Sequence, residues 1–261
     1  MKVFLSINPK KRNKHRKSIN RIRKWIDDNL NVVKDPDKAD VIISMGGDGT
    51  LLYSITKYMN GYKYFGINLG HLGFLTSAVN TDCETVLKKI FIDGDYEEEK
   101  IFYLKYSYKN KKIKSAINDI VLKGGEIQEI INLDIYVNNS KIYRHTGDGV
   151  IVSTPIGSTA YNLSINGPIL HPSIKAFILN NIAAHSLNIR PLVLHENDSV
   201  LIKPLKEVSL IADGNLIERI NSEIEISLSD KNISIIRPRG WNFYELLPQK
   251  LHWGKRGDPE C

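Results

Sequence analysis

Cysteine and long apolar runs are both scarce in this sequence. Its 261 residues include two cysteines, Cys83 and Cys261, too few for a disulfide framework or a cysteine-based zinc site. No apolar stretch approaches the roughly 20 residues that a membrane-spanning helix needs. The first apolar residues run at once into Asn8, Pro9 and a basic cluster, which predicts a first strand rather than a signal peptide. We therefore expect a cytoplasmic protein in a reducing compartment, without a membrane partner.

Two common catalytic motifs are absent from the sequence, and acidic residues are absent from its first 25 positions. The sequence has neither the His-Glu-x-x-His pattern of zinc hydrolases nor the Gly-x-Ser-x-Gly turn of serine hydrolases. Residues 1–25 contain ten lysines and arginines and no acidic residue. Such a basic face is either a solvated helix surface or a rim that attracts nucleotides. Because no nucleic-acid-reading motif accompanies it, we expect no nucleic acid partner.

The composition is that of an ordinary globular protein, with 42% hydrophobic and 25% charged residues.

Up to residue 95 the hydrophobic pattern alternates between that of a strand and that of a helix. It predicts strands at 2–7, 40–45 and 64–68 and helices at 16–30, 51–59 and 83–92. This alternation favours a doubly wound α/β domain over residues 1–95, with ligands at the carboxyl ends of the strands.

From residue 96 the hydrophobic period changes to two. Short β-branched segments predict a β-rich domain over residues 96–240, with one short helix at about 173–180. Its predicted strands are 101–108, 111–122, 132–137, 199–202, 208–212, 223–228 and 233–236. Residues 241–261 form an aromatic C-terminal segment that we expect to return to the first domain.

A Gly-Gly-Asp-Gly-Thr turn at residues 46–50 follows the second apolar strand. Glycines between a strand and a helix let backbone N–H groups approach a phosphate. No lysine follows them, so this is not a P-loop. Asp48 in such a turn either holds a metal that also touches phosphates or removes a proton from an attacking hydroxyl. Both interpretations indicate phosphoryl transfer, while the simplest alternative is an ordinary tight turn.

A second constellation begins at Gly147, Asp148 and Gly149. An apolar strand at 150–153 leads into the small residues 157–160 and then Tyr161, which offers a ring face and a hydroxyl. Such a segment suits a nucleotide with a flat base and a polar edge. Taken alone, it is equally typical of a buried strand followed by a polar turn.

Seven stretches together resemble the bacterial-type NAD kinases, in the order that the family shows. They are residues 46–52, 66–75, 118–119, 147–168, 184–191, 213–214 and 251–254. The resemblance implies transfer of the terminal phosphoryl group of ATP to the adenosine 2′-hydroxyl of NAD, giving NADP, with Mg²⁺ bound with the nucleotide. It implies an α/β domain followed by a β-sandwich-like domain, with the site between them, and assembly as a homodimer or homotetramer.

The resemblance also implies a role for individual residues. Asp48 matches the catalytic base, and Gly46, Gly47 and Gly49 match the turn against which phosphates lie. Asn118 and Asp119 match the pair that holds adenine and ribose, and Asp148 matches the acid near the nicotinamide amide. The other implied contacts are Leu72, Phe74, Arg144, Thr146, Thr159, Ala160, Tyr161, Asn162, Leu163, Ser164, Ala183 and Asn215. No residue is expected to form a metal site of its own.

Four positions depart from the family pattern. Asp119 stands where glutamate is usual, so its carboxylate reaches one methylene less far. Ile156 replaces a threonine or serine, and Asn215 replaces the commoner glutamine. Thr146 occupies the place of an arginine, although Arg144 could reach the same region. These departures leave Thr146 and Asn215 open as contacts.

Two other functions remain open at this point. A lipid or sphingoid kinase shares the Gly-Gly-Asp-Gly turn, but it would need a broad apolar mouth that residues 153–161 do not offer. A dinucleotide sensor would bind NAD or NADP without turnover. The sequence does not decide between ATP, other triphosphates and polyphosphate as donor, or between NAD and NADH as acceptor.

Overall fold

A computed structural model describes residues 1–7, 15–59, 61–71, 73–109, 111–125 and 129–253. The chain folds into two compact units. Unit 1 contains residues 1–99 and 233–261, and unit 2 contains residues 100–232. No described helix combines the length and the apolar composition that crossing a bilayer requires.

The strands and helices are numbered in chain order. The strands are β1 (Lys2–Ile7), β2 (Asn31–Val32), β3 (Val41–Gly46), β4 (Lys63–Asn68), β5 (Ala78–Val79), β6 (Tyr96–Tyr108), β7 (Lys114–Ala116), β8 (Asp119–Lys123), β9 (Ile131–Val137), β10 (Ser140–Gly147), β11 (Gly149–Ser153), β12 (Ala176–Ile182), β13 (Leu192–His195), β14 (Ser199–Pro204), β15 (Val208–Ala212), β16 (Asn215–Ile220) and β17 (Ile224–Pro238). The α-helices are α1 (Arg16–Asn29), α2 (Asp48–Tyr58), α3 (Cys83–Leu87), α4 (Tyr161–Ser164) and α5 (Phe243–Leu251).

Unit 1 is built on a parallel sheet in the order β2-β1-β3-β4-β17, and β5 also pairs with β4. Every residue of β3 is buried, as expected for a parallel strand that is covered on both faces. Helix α1 turns Ile19, Ile22 and Ile26 into the core, at the spacing of one helix face. The α/β prediction for this part of the chain is confirmed.

Two helices of unit 1 differ from the sequence prediction. Helix α2 begins at Asp48 rather than at residue 51, because Gly47 already accepts hydrogen bonds from the N–H groups of Thr50 and Leu51. The glycine-rich turn is therefore the first turn of the helix. The predicted helix 83–92 is α-helical only to Leu87 and continues as a π-helical segment, Lys88–Ile92.

Unit 2 consists of two sheets whose described strand pairs are antiparallel. In one sheet β10, β9, β14 and β17 follow one another, with β6 beside β17 and β7 beside β6. The other has the order β13-β12-β11-β8-β15-β16. Buried side chains from both sheets, among them Ile135, Val150, Phe177 and Ile226, form one apolar core. The prediction of a β-rich, sandwich-like domain is confirmed.

Four predicted elements in the region 96–240 are wrong in detail. The helix at 173–180 does not form, because Phe177, Ile178 and Leu179 lie buried in β12, a central strand with neighbours on both sides. The predicted strand 111–122 is divided into β7 and β8. Conversely, the predicted strands 223–228 and 233–236 are one continuous strand, β17.

Candidate functional site

The glycine-rich turn places Asp48 at the carboxyl end of β3 and in the first turn of α2. A Cβ atom at Gly46 would lie 2.1 Å from Thr50 Oγ1, so the chain can turn into the helix only with glycine there. Gly47 precedes the helix with extended backbone, and Gly49 is exposed. The N–H groups of a helix start and its partial positive charge favour a bound anion such as phosphate.

The Asp48 carboxylate is held by a loop of the same unit, residues 73–77, which we call the Asp48 loop. The N–H of Phe74 donates to Asp48 Oδ2 at 2.8 Å, and the N–H of Thr76 donates to Oδ1 at 3.1 Å. The Thr76 hydroxyl adds a bond to Oδ1 at 3.2 Å. A Cβ atom at Gly73 would lie 1.8 Å from Oδ1, so the carboxylate occupies the space of a missing side chain.

One of the two predicted apolar contacts, Phe74, lies in the Asp48 loop. Phe74 is partly buried, and its ring lies 6.2 Å from that of Phe243 in α5. Leu72 lies outside the described residues.

Unit 2 contains a cavity of about 430 Å³ around the Asn118–Asp119 pair. It is lined by Asn118, Asp119, Val121, Lys123, Ala160, Tyr161, Ile211, Asp213 and Gly214. The walls combine polar groups with aliphatic side chains and an aromatic ring. A small organic ligand site has this character.

Asp213 also belongs to this site, although the sequence pattern predicts no role for it. Its backbone has φ +48°, and its carboxylate accepts hydrogen bonds from the N–H groups of Ile117, Asn118 and Asp119 at 2.9, 2.6 and 3.3 Å. Asp213 thereby fixes the backbone that carries the Asn118–Asp119 pair. An Asp-Gly turn directly after the apolar strand 208–212 was the available sequence signal.

A buried carboxyl group, that of Asp119, and a partly buried one, that of Asp213, therefore meet in the cavity. Asp119 is 5% exposed, and burial together with the neighbouring Asp213 charge raises its pKa to about 7. Burial also raises the pKa of Asp213, while the three backbone N–H groups act in the opposite direction. Asn118 Oδ1 is buried and has no hydrogen-bond partner among the described residues, so it is available to accept from a ligand.

The loop after β11 approaches the Asn118 backbone closely. A Cβ atom at Gly157 would lie 2.0 Å from Asn118 O, which explains the glycine. Ala160 and Tyr161 line the cavity, and Tyr161 is 42% exposed, so its ring is available to a ligand. Asn162 is buried instead and accepts from Asn180 Nδ2 at 3.1 Å, and Ser164 Oγ donates to Tyr161 O. Thr159, in a 3₁₀ turn of the same segment, and Leu163, in α4, are partly buried.

The remaining predicted contacts do not line this cavity. Arg144 forms two hydrogen bonds with Asp134, at 2.7 and 3.0 Å, and the Thr146 hydroxyl donates to Asn132. Asp148 and Ala183 are exposed, and Asn215 is exposed with its amide directed to Asp213 O.

Arg144 thus has a partner within the protein. The Asp134 carboxylate it contacts keeps a strongly lowered pKa because Arg144 and Lys141 both bond to it.

The sequence matches two family models over most of its length. Residues 5–96 match the ATP-NAD kinase N-terminal domain, and residues 117–237 match the ATP-NAD kinase C-terminal domain. A protein of Campylobacter jejuni (strain 81-176) named NAD kinase is 38% identical over 223 residues, which cover 83% of this chain and 77% of that protein. The chain belongs to the NAD kinase family.

Further NAD kinases are similar at comparable levels. That of Pseudoalteromonas translucida is 35% identical over 231 residues, 84% of this chain and 78% of its own length. Among solved structures, an Archaeoglobus fulgidus NAD kinase in complex with ATP superposes with a TM-score of 0.79 at 26% identity, over 97% of this chain and 99% of that one. Yeast NADH kinase complexed with NADH has a TM-score of 0.87 at 23% identity, covering 98% and 89%, and supports the fold.

These matches confirm the prediction of an NAD kinase enzyme. They also place the two described sites in different family models. Asp48 and its loop lie within the segment matched to the N-terminal domain, and the cavity around Asp119 lies within the segment matched to the C-terminal domain.

Proposed function

We propose that this chain transfers the terminal phosphoryl group of ATP to the adenosine 2′-hydroxyl of NAD, giving NADP and ADP. The observation that carries the proposal is the Asp48 carboxylate, fixed by three hydrogen bonds at the start of α2 in an NAD kinase sequence. It is a base whose orientation is set before a substrate arrives.

In this proposal Asp48 is the general base. It takes the proton of the 2′-hydroxyl while the hydroxyl oxygen bonds to the terminal phosphorus, and the bond from that phosphorus to the bridging oxygen of ADP breaks. The glycines at 46, 47 and 49 leave the helix start open, so that phosphate oxygens can approach its N–H groups.

The cavity of unit 2 is the proposed site for the adenosine part of NAD. The free Asn118 Oδ1 and the Asp119 carboxyl group would bind polar edges of adenine and ribose, and Tyr161 and Ala160 would flank them. The remaining residues assigned by family resemblance are proposed contacts of the rest of the dinucleotide. They are Leu72, Phe74, Arg144, Thr146, Asp148, Thr159, Asn162, Leu163, Ser164, Ala183 and Asn215.

A divalent cation is proposed to arrive with the ATP. The described residues contain no cluster of three or more His, Cys, Asp or Glu side chains that could hold a metal. Mg²⁺ fits such a chain, since it commonly keeps its waters and takes substrate phosphates with one or two carboxylates. When bound, it would neutralise charge on the donor phosphates. The chain's own contribution is to hold Asp48 and the open helix start beside them.

We also propose a homodimer or homotetramer in the cytoplasm, without nucleic acid or membrane partners.

Replacing Asp48 with asparagine tests the proposed base. The amide cannot accept the proton, so we expect kcat to fall by about 10²–10⁴-fold while the KM for NAD changes by less than about twofold. The assay combines the purified protein with Mg²⁺, NAD or NADH, and either ATP or polyphosphate, and detects the product with an NADP-specific dehydrogenase.

Asp27→Asn is the matched control, because Asp27 is an exposed carboxylate on α1 that pairs with Arg23. Its kcat is expected to equal that of the wild type. Near-full activity of Asp48→Asn would reject the base assignment. If the wild-type protein makes no NADP with either donor but binds NAD, the chain is a sensor, and if it phosphorylates lipid alcohols instead, it is a lipid kinase.

A further inference from the structure

The largest fully buried side chain of the described residues belongs to Arg237, on the part of β17 that lies in unit 1. It is 1% exposed. Its Nε and Nη2 atoms donate to Glu99 Oε2 at 2.9 and 2.7 Å, and its guanidinium lies 3.9 Å from the centroid of the Trp241 ring. Removing a guanidinium from water costs free energy even when it is paired. The contacts of Arg237 therefore indicate its role in the protein.

The other donors of Arg237 are directed to the Asp48 loop. Nη1 bonds to Leu75 O at 2.9 Å, Thr76 O at 3.1 Å and Ser77 Oγ at 3.2 Å, and Nη2 bonds to Phe74 O at 3.2 Å. One guanidinium therefore binds three successive carbonyl groups. Arginine suits this task because its donors form a rigid planar fork, whereas lysine offers a single point charge.

One peptide group connects Arg237 directly to Asp48. The carbonyl oxygen of Leu75 accepts from Arg237, and the N–H of the same peptide, which belongs to Thr76, donates to Asp48 Oδ1 at 3.1 Å. A hydrogen bond to the carbonyl polarises the peptide and strengthens the bond that its N–H donates. The loop thus connects a buried positive charge to the carboxylate of the proposed base.

Burial lowers the pKa of Arg237, and the negative charges of Glu99 and then Asp48 oppose this effect. The ion pair also leaves a polar atom unsatisfied, because Glu99 Oε1 is buried without a hydrogen-bond partner among the described residues. An apolar side chain would avoid the free-energy cost of burying a charge. A contribution to stability alone therefore does not explain why an arginine occupies position 237.

We propose that Arg237 is a positioning residue, which holds the Asp48 loop so that Phe74 and Thr76 orient the Asp48 carboxylate for proton removal. This inference rests on the proposed function of Asp48. Arg237 touches no substrate and acts only through the loop.

A double-mutant cycle between Arg237 and Asp48 tests the proposal. Arg237→Lys keeps the charge but loses the fork, so we expect kcat to fall by about 10–100-fold, the size of effect that a small misplacement of a catalytic group produces. The KM for NAD is expected to stay within about twofold. When Asp48 is already asparagine, adding Arg237→Lys should lower kcat by less than about twofold, because the group being positioned no longer acts as a base.

A merely structural role would give a different result. Ile22→Val, a buried change on α1 in the same unit, is the control: it lowers the melting temperature and leaves kcat per folded molecule unchanged. If the Arg237→Lys loss of kcat is equally large in the Asp48→Asn background, or if Arg237→Lys keeps full kcat, Arg237 does not position Asp48.

The cycle also distinguishes this inference from the proposed function. Full activity of Asp48→Asn alone overturns both, whereas a low kcat for Asp48→Asn with additive effects overturns only the role of Arg237. If Arg237→Lys does not yield folded protein, Glu99→Gln takes its place in the same cycle. It weakens the anchor of the guanidinium and should lower kcat several-fold only where Asp48 is intact.

Discussion

Burial raises the pKa of both the Asp119 and the Asp213 carboxyl groups, but the two groups have different neighbours. Asp213 accepts three backbone N–H groups, which support a negative charge. Burial and the Asp213 charge both oppose ionisation of Asp119, whose pKa is raised to about 7. The protonation state of Asp119 therefore changes near neutral pH.

The titration of Asp119 predicts a pH dependence of stability. Its pKa is about 7 in the folded protein and about 3.9 in an unfolded chain, so the folded state retains a proton between these values. This retained proton stabilises the folded protein. Its contribution to the free energy of unfolding, roughly 4 kcal/mol at most, is complete below about pH 4 and is lost as the pH rises to about 7. We expect the melting temperature of the wild type to fall relative to that of Asp119→Asn between pH 4.5 and 7.5.

Thermal unfolding followed by circular dichroism over this pH range measures the difference. Asp119→Asn cannot ionise and keeps a similar shape, so Asp213 and the remaining groups contribute to both curves. Parallel curves for the two proteins would show that Asp119 does not titrate in this window.

Local sequence was sufficient to find some residues of the site and insufficient for others. Asp48 was predictable because it lies inside its own glycine turn, and Tyr161 because it ends a run of small residues. Arg237 was not predictable, since its partners Phe74 to Ser77 are about 160 residues away in the chain. The closeness of Asp119 to Asp213 likewise depends on the pairing of β8 with β15, two strands that are distant in the chain.

At the scale of the elements, α5 shows how one side chain starts a helix. Asn242 Oδ1 accepts from the N–H of Tyr244 at 2.9 Å, and Phe243, which follows it, is buried against Phe74. Pro248 lies inside the same helix, where it cannot donate a backbone hydrogen bond. The N-terminal cap is therefore expected to contribute strongly to the stability of this short helix.

Removing the cap should destabilise unit 1. We expect Asn242→Ala to lower the free energy of unfolding by about 1 kcal/mol, because one N–H at the helix start loses its acceptor. Asn242→Asp retains an acceptor and should keep nearly all of the stability. Urea unfolding of the three proteins measures the difference, and equal midpoints for all of them would contradict a capping role.

The elements were predicted well where periodicity was long and poorly where it was short. Helix α1 was found within one residue because three isoleucines mark one face. The segment 173–180 was wrongly predicted because a short apolar run fits either a helix or a buried strand, and only the neighbouring strands β11 and β13 decide.

At the scale of the whole molecule, unit 2 has an apolar edge that bears on assembly. Strand β13 lies at the end of its sheet, Val193 on it is 52% exposed, and Leu187, which precedes β13 in the chain, is 83% exposed. Unpaired strand edges with apolar side chains tend to associate. This observation supports, for this chain, the self-association that its family resemblance implies.

Sedimentation equilibrium should therefore give a mass two or four times the 29.6 kDa of one chain. Val193→Lys, which puts a charge on the edge strand, should weaken the association if β13 forms the contact. A single-chain mass at micromolar concentration would refute the prediction of an oligomer.

Strand β17 has a consequence for the order in which a newly made chain can fold. Residues 233–238 of this strand lie in unit 1, where β17 pairs with β4, so the sheet of unit 1 needs residues that the ribosome delivers more than 160 positions later. All of unit 2, residues 100–232, is synthesised in the meantime. During translation the first ninety-nine residues therefore cannot complete their sheet until unit 2 has emerged. Until then they lack both their last strand and the hydrogen bonds from Arg237 to the Asp48 loop.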